Sequence, residues 1–323
     1  MSDPLRETTI DLGAGRSRRI IPITTLASGH ELALTIHVVK GKIEGPVVGV
    51  SAMVHGDEFD GLAITRELLE TLDPAEMRGE VWILGVANPL AMEAVTRNTP
   101  LDMLDMNRLF PGSPDGWLSE QQAHAISRGF IDRIEWLVDL HCGGTFPWVD
   151  YCYVVNDEGF SRAFLSELLY QPAVGYAGTT ATYAEQRGVR CMVVEIGGGY
   201  QEQAAHIGNG VVGVTNQLRY AGVLAGEVVR RPGQRLMTEM KVMRPRHGGI
   251  CIPRRKLAPG MELDGGEPLA DIVSPYTFET LETLEAPFDR SIVVLCRNYQ
   301  TRIHPGDYGF MMGNGATTSA LAD

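Results

Sequence analysis

Apolar and polar residues alternate over residues 33–39 (Ala-Leu-Thr-Ile-His-Val-Val), a period of two that predicts a half-buried strand. Residues 46–53 (Pro-Val-Val-Gly-Val-Ser-Ala-Met) are apolar almost without a break, as expected of a central strand covered on both faces. A helix is predicted from there to about Leu72, with Leu62, Leu69 and Leu72 on one stripe and Asp73-Pro74 as its stop. A second buried strand is expected at 81–86, and Asn88-Pro89 opens a loop. Residues 117–136 read as helical. Trp136-Leu-Val-Asp-Leu140 then enters a strand that ends at His141-Cys142-Gly143-Gly144. Residues 160–169 suit a helix, 190–195 a buried strand closed by Ile196 and three glycines, and 208–229 a long helix.

Up to about residue 231 this is alternating strand and helix, the pattern of an α/β layered sheet. After Arg231-Pro232-Gly233 the character changes. Residues 241–312 are short alternating runs between turns at Gly248-Gly249, Pro259-Gly260, Asp264-Gly265-Gly266 and Pro305-Gly306-Asp307, which read as a small all-β domain. The expected division is a catalytic domain over 1–232, with an N-terminal β segment at 1–42, and a β domain over 233–323. The last ten residues are small and polar and are expected to fray.

A length of 323 residues is compatible with two domains, and 44% hydrophobic against 21% charged residues is an ordinary globular balance. The 40 acidic residues exceed the 28 basic ones, for a net charge of −12, which argues against nucleic-acid binding through a cationic face. No apolar run is long enough to span a membrane, and the N-terminus lacks a signal-peptide core. Five dispersed cysteines without C-x-x-C fit a reducing compartment, so a cytoplasmic protein is expected, with no membrane partner.

Three polar groups stand at the ends of apolar strands. In His55-Gly56-Asp57-Glu58 a spacing of three lets imidazole and carboxylate converge on one point, and His141 ends Val138-Asp-Leu-His. Two His and one Glu are a common ligand set for catalytic zinc, which keeps a position open for water. Glu195, ending Met-Val-Val-Glu, could take a proton from such a water. Each signal alone is weak; together, at strand carboxyl ends, they match where open α/β sheets build sites. Asp57 is expected to cap the following helix, and Asp139 to orient a ligand from behind. The loop Arg97-Asn-Thr-Pro100, followed by Asp105-Met106-Asn107-Arg108, suits either fork recognition of a carboxylate or a salt bridge to Asp102 or Asp105.

These motifs, in this order, resemble the succinylglutamate desuccinylase/aspartoacylase family, a branch of the zinc-carboxypeptidase-like fold. The resemblance runs over about residues 30–312, because the β-rich tail also looks like the family's C-terminal, lipoyl-like domain. It implies an α/β fold with a mixed sheet flanked by helices, and hydrolysis of the amide of a small-molecule N-acyl amino acid. His55, Glu58 and His141 would hold one Zn²⁺, and Glu195 would be the general base. Asn107 and Arg108 would bind the amino-acid carboxylate, and Arg97 would stabilise the oxyanion.

Met106 stands where the family usually has Leu, and Asp57 where Asn is frequent; neither change affects the metal reading. No dedicated cationic site for an acyl-side carboxylate is evident, which favours a short acyl group such as acetyl. An N-acetylated diamino acid such as N-acetyl-diaminobutyrate is the specific expectation. Two other readings remain open, a metallocarboxypeptidase acting on short peptides and a non-catalytic zinc-dependent binding protein. Cys142 beside His141 is not expected to act as a nucleophile, since neighbours on a strand face opposite ways. His206 and His304, with Tyr151, Tyr153, Tyr176 and Tyr183, are candidates for the pocket wall, and a homo-oligomer is expected on general grounds.

Overall fold

The computed structural model describes residues 6–199 and 203–322. Three antiparallel strands, β1 (Thr8–Gly13), β2 (Arg16–Thr25) and β3 (Glu31–Lys40), lead into β4 (Ile43–Ala52) and helix α1 (Phe59–Thr71). Then follow β5 (Arg78–Leu84), α2 (Pro89–Ala94), α3 (Leu118–Gly129), β6 (Trp136–His141) and β7 (Trp148–Val154). After these come α4 (Glu158–Arg162), β8 (Leu168–Tyr170), α5 (Thr180–Gln186), β9 (Arg190–Gly197) and α6 (Gln203–Tyr220).

The strands β5, β4, β6 and β9 are mutually parallel, with β3 antiparallel on one side and β7 on the other. Helices cover both faces, as a parallel core requires. On one face Val48, Val50 and Ala52 of β4 pack with Ile64 and Leu68 of α1 and Val214 and Leu218 of α6. On the other, Leu137 and Cys191 pack with Ala123 and Ile126 of α3 and Ala184 of α5. The expected mixed α/β sheet is therefore present.

The C-terminal part contributes β10 (Arg235–Met237), β11 (Met240–Met243), β12 (Gly249–Pro253), β13 (Glu262–Asp264), β14 (Pro268–Val273) and β15 (Thr280–Glu285). It continues with β16 (Arg290–Cys296), β17 (Thr301–Ile303), β18 (Phe310–Asn314) and β19 (Thr318–Ala320). Strands β15-β14-β12-β17 form a separate antiparallel sheet. In contrast, β16 pairs with β7 through Leu295↔Val149 and Cys296↔Trp148, so the large sheet runs on into the C-terminal strands.

Several expected elements differ. Residues 160–169 are not one helix: α4 stops at Arg162, Leu165 takes a left-handed φ of 76°, and Leu168 and Leu169 join the sheet beside β7 and β10. The long C-terminal helix ends at Tyr220, because Gly222 (φ 82°) turns the chain and Val223 and Leu224 fold back onto the Leu218 carbonyl. The helix expected over 117–136 ends at Gly129. Asn88-Pro89 begins a short helix rather than a loop, since Asn88 caps it and Pro89 occupies its first turn. Residues 314–322 are not frayed, since β19 pairs with β10 and Arg162 donates to the Ala322 carbonyl; Asp323 lies outside the described residues.

Candidate active site and metal centre

Beyond β4 the chain must turn at once. Met53, fully buried, adopts φ 56°, a strained conformation for a non-glycine residue, and His55 follows two residues on. The Gly56 N–H donates to the Thr96 carbonyl, and a Cβ on Gly56 would lie 1.9 Å from the Ala91 carbonyl carbon. Only glycine lets this turn rest against α2. Glu58 occupies the N-cap position of α1, but its carboxylate makes no cap hydrogen bond and turns to the imidazoles instead. Asp57 does not cap the helix as expected. Its Oδ2 accepts from the Thr145 N–H at 3.3 Å and so ties the loop after His141 to the loop after β4.

Strand alternation gathers the remaining groups on the face covered by α3 and α5. Val138 and Leu140 of β6, like Met192 and Val194 of β9, point to the α1/α6 side. Asp139, His141 and Glu195 therefore point to the opposite side. His141 is the direct cross-strand neighbour of Glu195, which is flanked on its other side by Tyr151 of β7.

His55 Nδ1 lies 2.7 Å from Glu58 Oε1, and His141 Nδ1 lies 2.8 Å from Glu58 Oε2. All three residues are buried, and their ligand atoms fall within 4.8 Å of one another. Each imidazole turns its other nitrogen to an aspartate. His55 Nε2 is 3.3 Å from Asp105 Oδ1, and His141 Nε2 is 3.2 Å from Asp139 Oδ2. An Nε2–H donated to a carboxylate leaves the Nδ1 lone pair for a cation, the arrangement that orients metal-bound histidines. The donor set thus fits a divalent metal. Burial pushes the Glu58 carboxyl up, but the two imidazoles overcome this and hold it well below the usual range.

Asp139, fully buried, also accepts from the Ser51 hydroxyl at 2.7 Å and from the Thr180 hydroxyl. Asp105 accepts from Arg97 Nε and Nη2 at 3.2 and 3.0 Å, while Arg97 Nη1 comes within 3.4 Å of His55 Nδ1. Arg97 therefore makes the expected salt bridge and still reaches His55. Arg66, by contrast, is exposed and pairs with Glu70. Asn107 is buried with Oδ1 accepting from the Thr180 N–H at 3.0 Å, and Arg108 Nη1 donates to the Asn107 carbonyl at 2.6 Å.

Glu195 makes no hydrogen bond among the described residues and faces a cleft of about 730 Å³, which His55, Glu58, Arg97, Asn107, Arg108 and His141 also line. Burial pushes its carboxyl up to about 7; the His141 charge opposes this and the Glu58 charge adds to it. All seven sequence-predicted site residues therefore meet in one cleft. Tyr151, Tyr153, Tyr176 and His304 line it as well. Tyr183 does not: its hydroxyl donates to Asp132 on the far side of α5. His206 is buried against Trp148. Cys142 contributes to the cleft lining, and its thiol is held protonated, first by burial and then by the Glu58 charge.

Of the C-terminal contribution to this cleft, sequence reasoning named His304 and missed the rest. Arg297, Arg302 and Tyr308 line it, and the two guanidinium carbons lie 5.6 and 5.4 Å from the centre of the Phe146 ring. The buried Arg297 spends its donors on the Tyr308 and Arg302 carbonyls and the Thr301 hydroxyl, and so shapes the wall. The signal was slight, since these residues carry no local motif and lie far along the chain from the ligands.

A sequence model of the succinylglutamate desuccinylase/aspartoacylase catalytic domain matches residues 44–221. The chain belongs to this family. It is similar to the N-alpha-acetyl-L-2,4-diaminobutyric acid deacetylase of Halomonas elongata, at 24% identity over 89% of this chain and 87% of that protein. Among solved structures, a product-bound form of the ectoine utilization protein EutE (DoeB) from Ruegeria pomeroyi superposes with a TM-score of 0.84. That match has 23% identity and covers 97% of this chain and 100% of that one. A succinylglutamate desuccinylase from Silicibacter sp. TM1040 gives the same TM-score at 22% identity, covering 97% and 99%. The matched stretch runs from β4 through α6 and includes all seven predicted site residues.

Proposed function

We propose that the protein is a zinc-dependent amidohydrolase that removes a short acyl group, acetyl, from an N-acyl amino acid. The observation that carries this reading is the meeting of a buried His-Glu-His set with a raised-pKa carboxylate, Glu195, in one cleft. Zinc held by His55, Glu58 and His141 would supply a water of lowered pKa and a polarised acyl carbonyl. Glu195 takes the proton released on attack and passes it to the leaving amine, a task suited to a carboxyl near 7. Arg97 presents Nη1 beside the ligand set and donates to the carbonyl oxygen as negative charge develops there. Asn107 and Arg108 bind the amino-acid carboxylate. The Asn107 Oδ1 is already engaged, so its Nδ2 donors are the ones left for the cleft.

Similarity to the Halomonas deacetylase supports an N-acetylated diamino acid such as N-acetyl-diaminobutyrate as the substrate. In this reading residues 1–232 carry the metal and base, while 233–323 shape the cleft wall through Arg297, Arg302 and Tyr308. The cytoplasmic assignment goes with it, supported by five free, buried cysteines. Among the described residues no helix is long and apolar enough to cross a membrane.

Amine release from a panel of N-acetyl, N-succinyl and N-formyl amino acids, followed by mass spectrometry, tests the proposal. Acidic, neutral and diamino acids belong in the panel, with short peptides alongside. Turnover that requires both zinc and Glu195 and favours the N-acetyl diamino acids is the expected result. Cleavage of peptides alone would make the protein a carboxypeptidase, and silence from zinc-loaded protein would make it a binding protein.

A further inference from the structure

One residue outside the proposed machinery touches both halves of it. Thr180 is the first residue of α5, follows the N-cap Thr179, and is 2% exposed. Its hydroxyl donates to Asp139 Oδ2, the oxygen that also faces His141 Nε2, and lies 3.5 Å from Asn107 Oδ1, too far to compete for its single proton. Its backbone N–H donates to Asn107 Oδ1 at 3.0 Å. The first N–H groups of a helix have no intrahelical acceptor, so this donor is free for such use.

The two bonds have different consequences. Asp139 is fully buried and orients the His141 ring, so each donor that fixes its oxygens also fixes the direction of the Nδ1 lone pair. Ser51 holds Oδ1 at 2.7 Å, and Thr180 holds Oδ2. An Asn side chain has two rotational settings that differ only in whether oxygen or nitrogen faces a given neighbour. The Thr180 N–H accepts only the setting that turns Oδ1 inward, and the NH₂ group is thereby directed to the cleft that Asn107 lines.

We propose that Thr180 is a positioning residue that aligns the metal-binding half of the cleft through its hydroxyl and the carboxylate-binding half through its backbone N–H. This rests on the proposed roles of His141 and Asn107, and goes beyond them by assigning one residue of α5 to both.

The two arms can be cut separately. Thr180→Val keeps the shape and the N–H but removes the hydroxyl. Thr180→Pro removes both, at a helix position where proline is well tolerated. The preceding Thr179 has φ −91° and ψ 159°, the extended setting that a following proline requires. Thr180→Ser keeps both arms. Zinc affinity is measured by competition with a chromophoric chelator, and KM for the best N-acyl amino acid at saturating zinc.

Thr180→Val is expected to bind zinc at least tenfold more weakly, with KM within twofold of wild type. Thr180→Pro is expected to show the same zinc loss and, in addition, a KM raised about tenfold. Thr180→Ser restores both values. Wild-type zinc affinity in Thr180→Val overturns the hydroxyl arm. Equal KM in Thr180→Val and Thr180→Pro overturns the N–H arm. If wild-type protein itself takes up no stoichiometric zinc, the proposed function fails first and the inference with it. Stoichiometric zinc in wild type with no difference among the variants removes the inference alone.

Discussion

Arg97 and Asp105 are joined by two hydrogen bonds to one carboxylate oxygen, at 3.2 Å from Nε and 3.0 Å from Nη2. The other oxygen of Asp105 reaches His55 Nε2 at 3.3 Å. A single carboxylate therefore orients both His55, a proposed metal ligand, and the guanidinium proposed to meet the oxyanion. Burial raises the Asp105 carboxyl, but His55 and Arg97 outweigh it and hold the group well below its usual range, so Asp105 stays ionised at neutral pH.

Replacing Asp105 by Asn keeps the shape and removes the charge. The amide presents only one acceptor oxygen, so one of the two partners loses its bond. Zinc affinity is expected to fall about 10–100-fold, as for other groups that orient a metal-bound histidine. A fall in kcat that persists at saturating zinc is expected as well, because Arg97 loses its anchor. Chelator competition and steady-state kinetics on Asp105→Asn read the two effects separately.

Glu195→Gln should separate chemistry from metal binding. Glu195 belongs to no ligand pair closer than its cross-strand neighbour His141, and it has no hydrogen bond among the described residues to lose. The variant is expected to keep wild-type zinc stoichiometry while kcat drops about 10²–10⁴-fold, the usual contribution of a general base. A drop below threefold would assign the proton transfer to another group.

The pH profile follows from the same carboxyl. A general base works ionised, so the rate it supports is present above its pKa and lost below. Burial raises Glu195 from 4.5 to about 7 in the metal-free chain. A bound dication nearby lowers that value, since positive charge favours the carboxylate. The acid limb of kcat/KM is therefore expected between about 4.5 and 7, and it should be absent from the residual activity of Glu195→Gln. Infrared spectroscopy of the carboxyl band in apo and zinc-loaded protein checks the direction of the shift.

His55, His141 and Glu195 were legible in the sequence through one shared property: each follows a strand whose burial is written in the residues before it. His55 comes after Val47, Val48 and Val50; His141 after Leu137 and Val138; Glu195 after Met192 and Val193. An apolar run fixes the strand, and a polar residue at its close then falls at the carboxyl end of the sheet. Thr180 has no such run before it. It begins a seven-residue helix without a clear apolar stripe, and its importance comes from where Asp139 and Asn107 happen to point. Asp57 was misread because the local rule, an acidic residue before a helix caps it, lost to a tertiary contact with Thr145. The terminal strand β19 was missed because a three-residue strand of Thr-Ser-Ala owes its order to its partner β10 rather than to its own composition.

The turn between β4 and α1 offers the sharpest stability contrast. A Cβ on Gly56 would stand 1.9 Å from the Ala91 carbonyl carbon and 2.0 Å from its oxygen, both backbone atoms that no rotamer change can move. Gly208, inside α6, has nothing within 4 Å of the same position. Gly56→Ala must push the His55–Glu58 turn away from α2, so a loss of about 3 kcal/mol or more is expected, beyond ordinary overpacking. Because the displaced turn carries two metal ligands, zinc affinity should fall in the same variant. Gly208→Ala should instead gain about 0.5–1 kcal/mol from helix propensity, with zinc affinity unchanged. Urea denaturation of the apo proteins, paired with zinc titration, measures both. Equal stability for the two variants would mean that the turn does not rest on α2 as described.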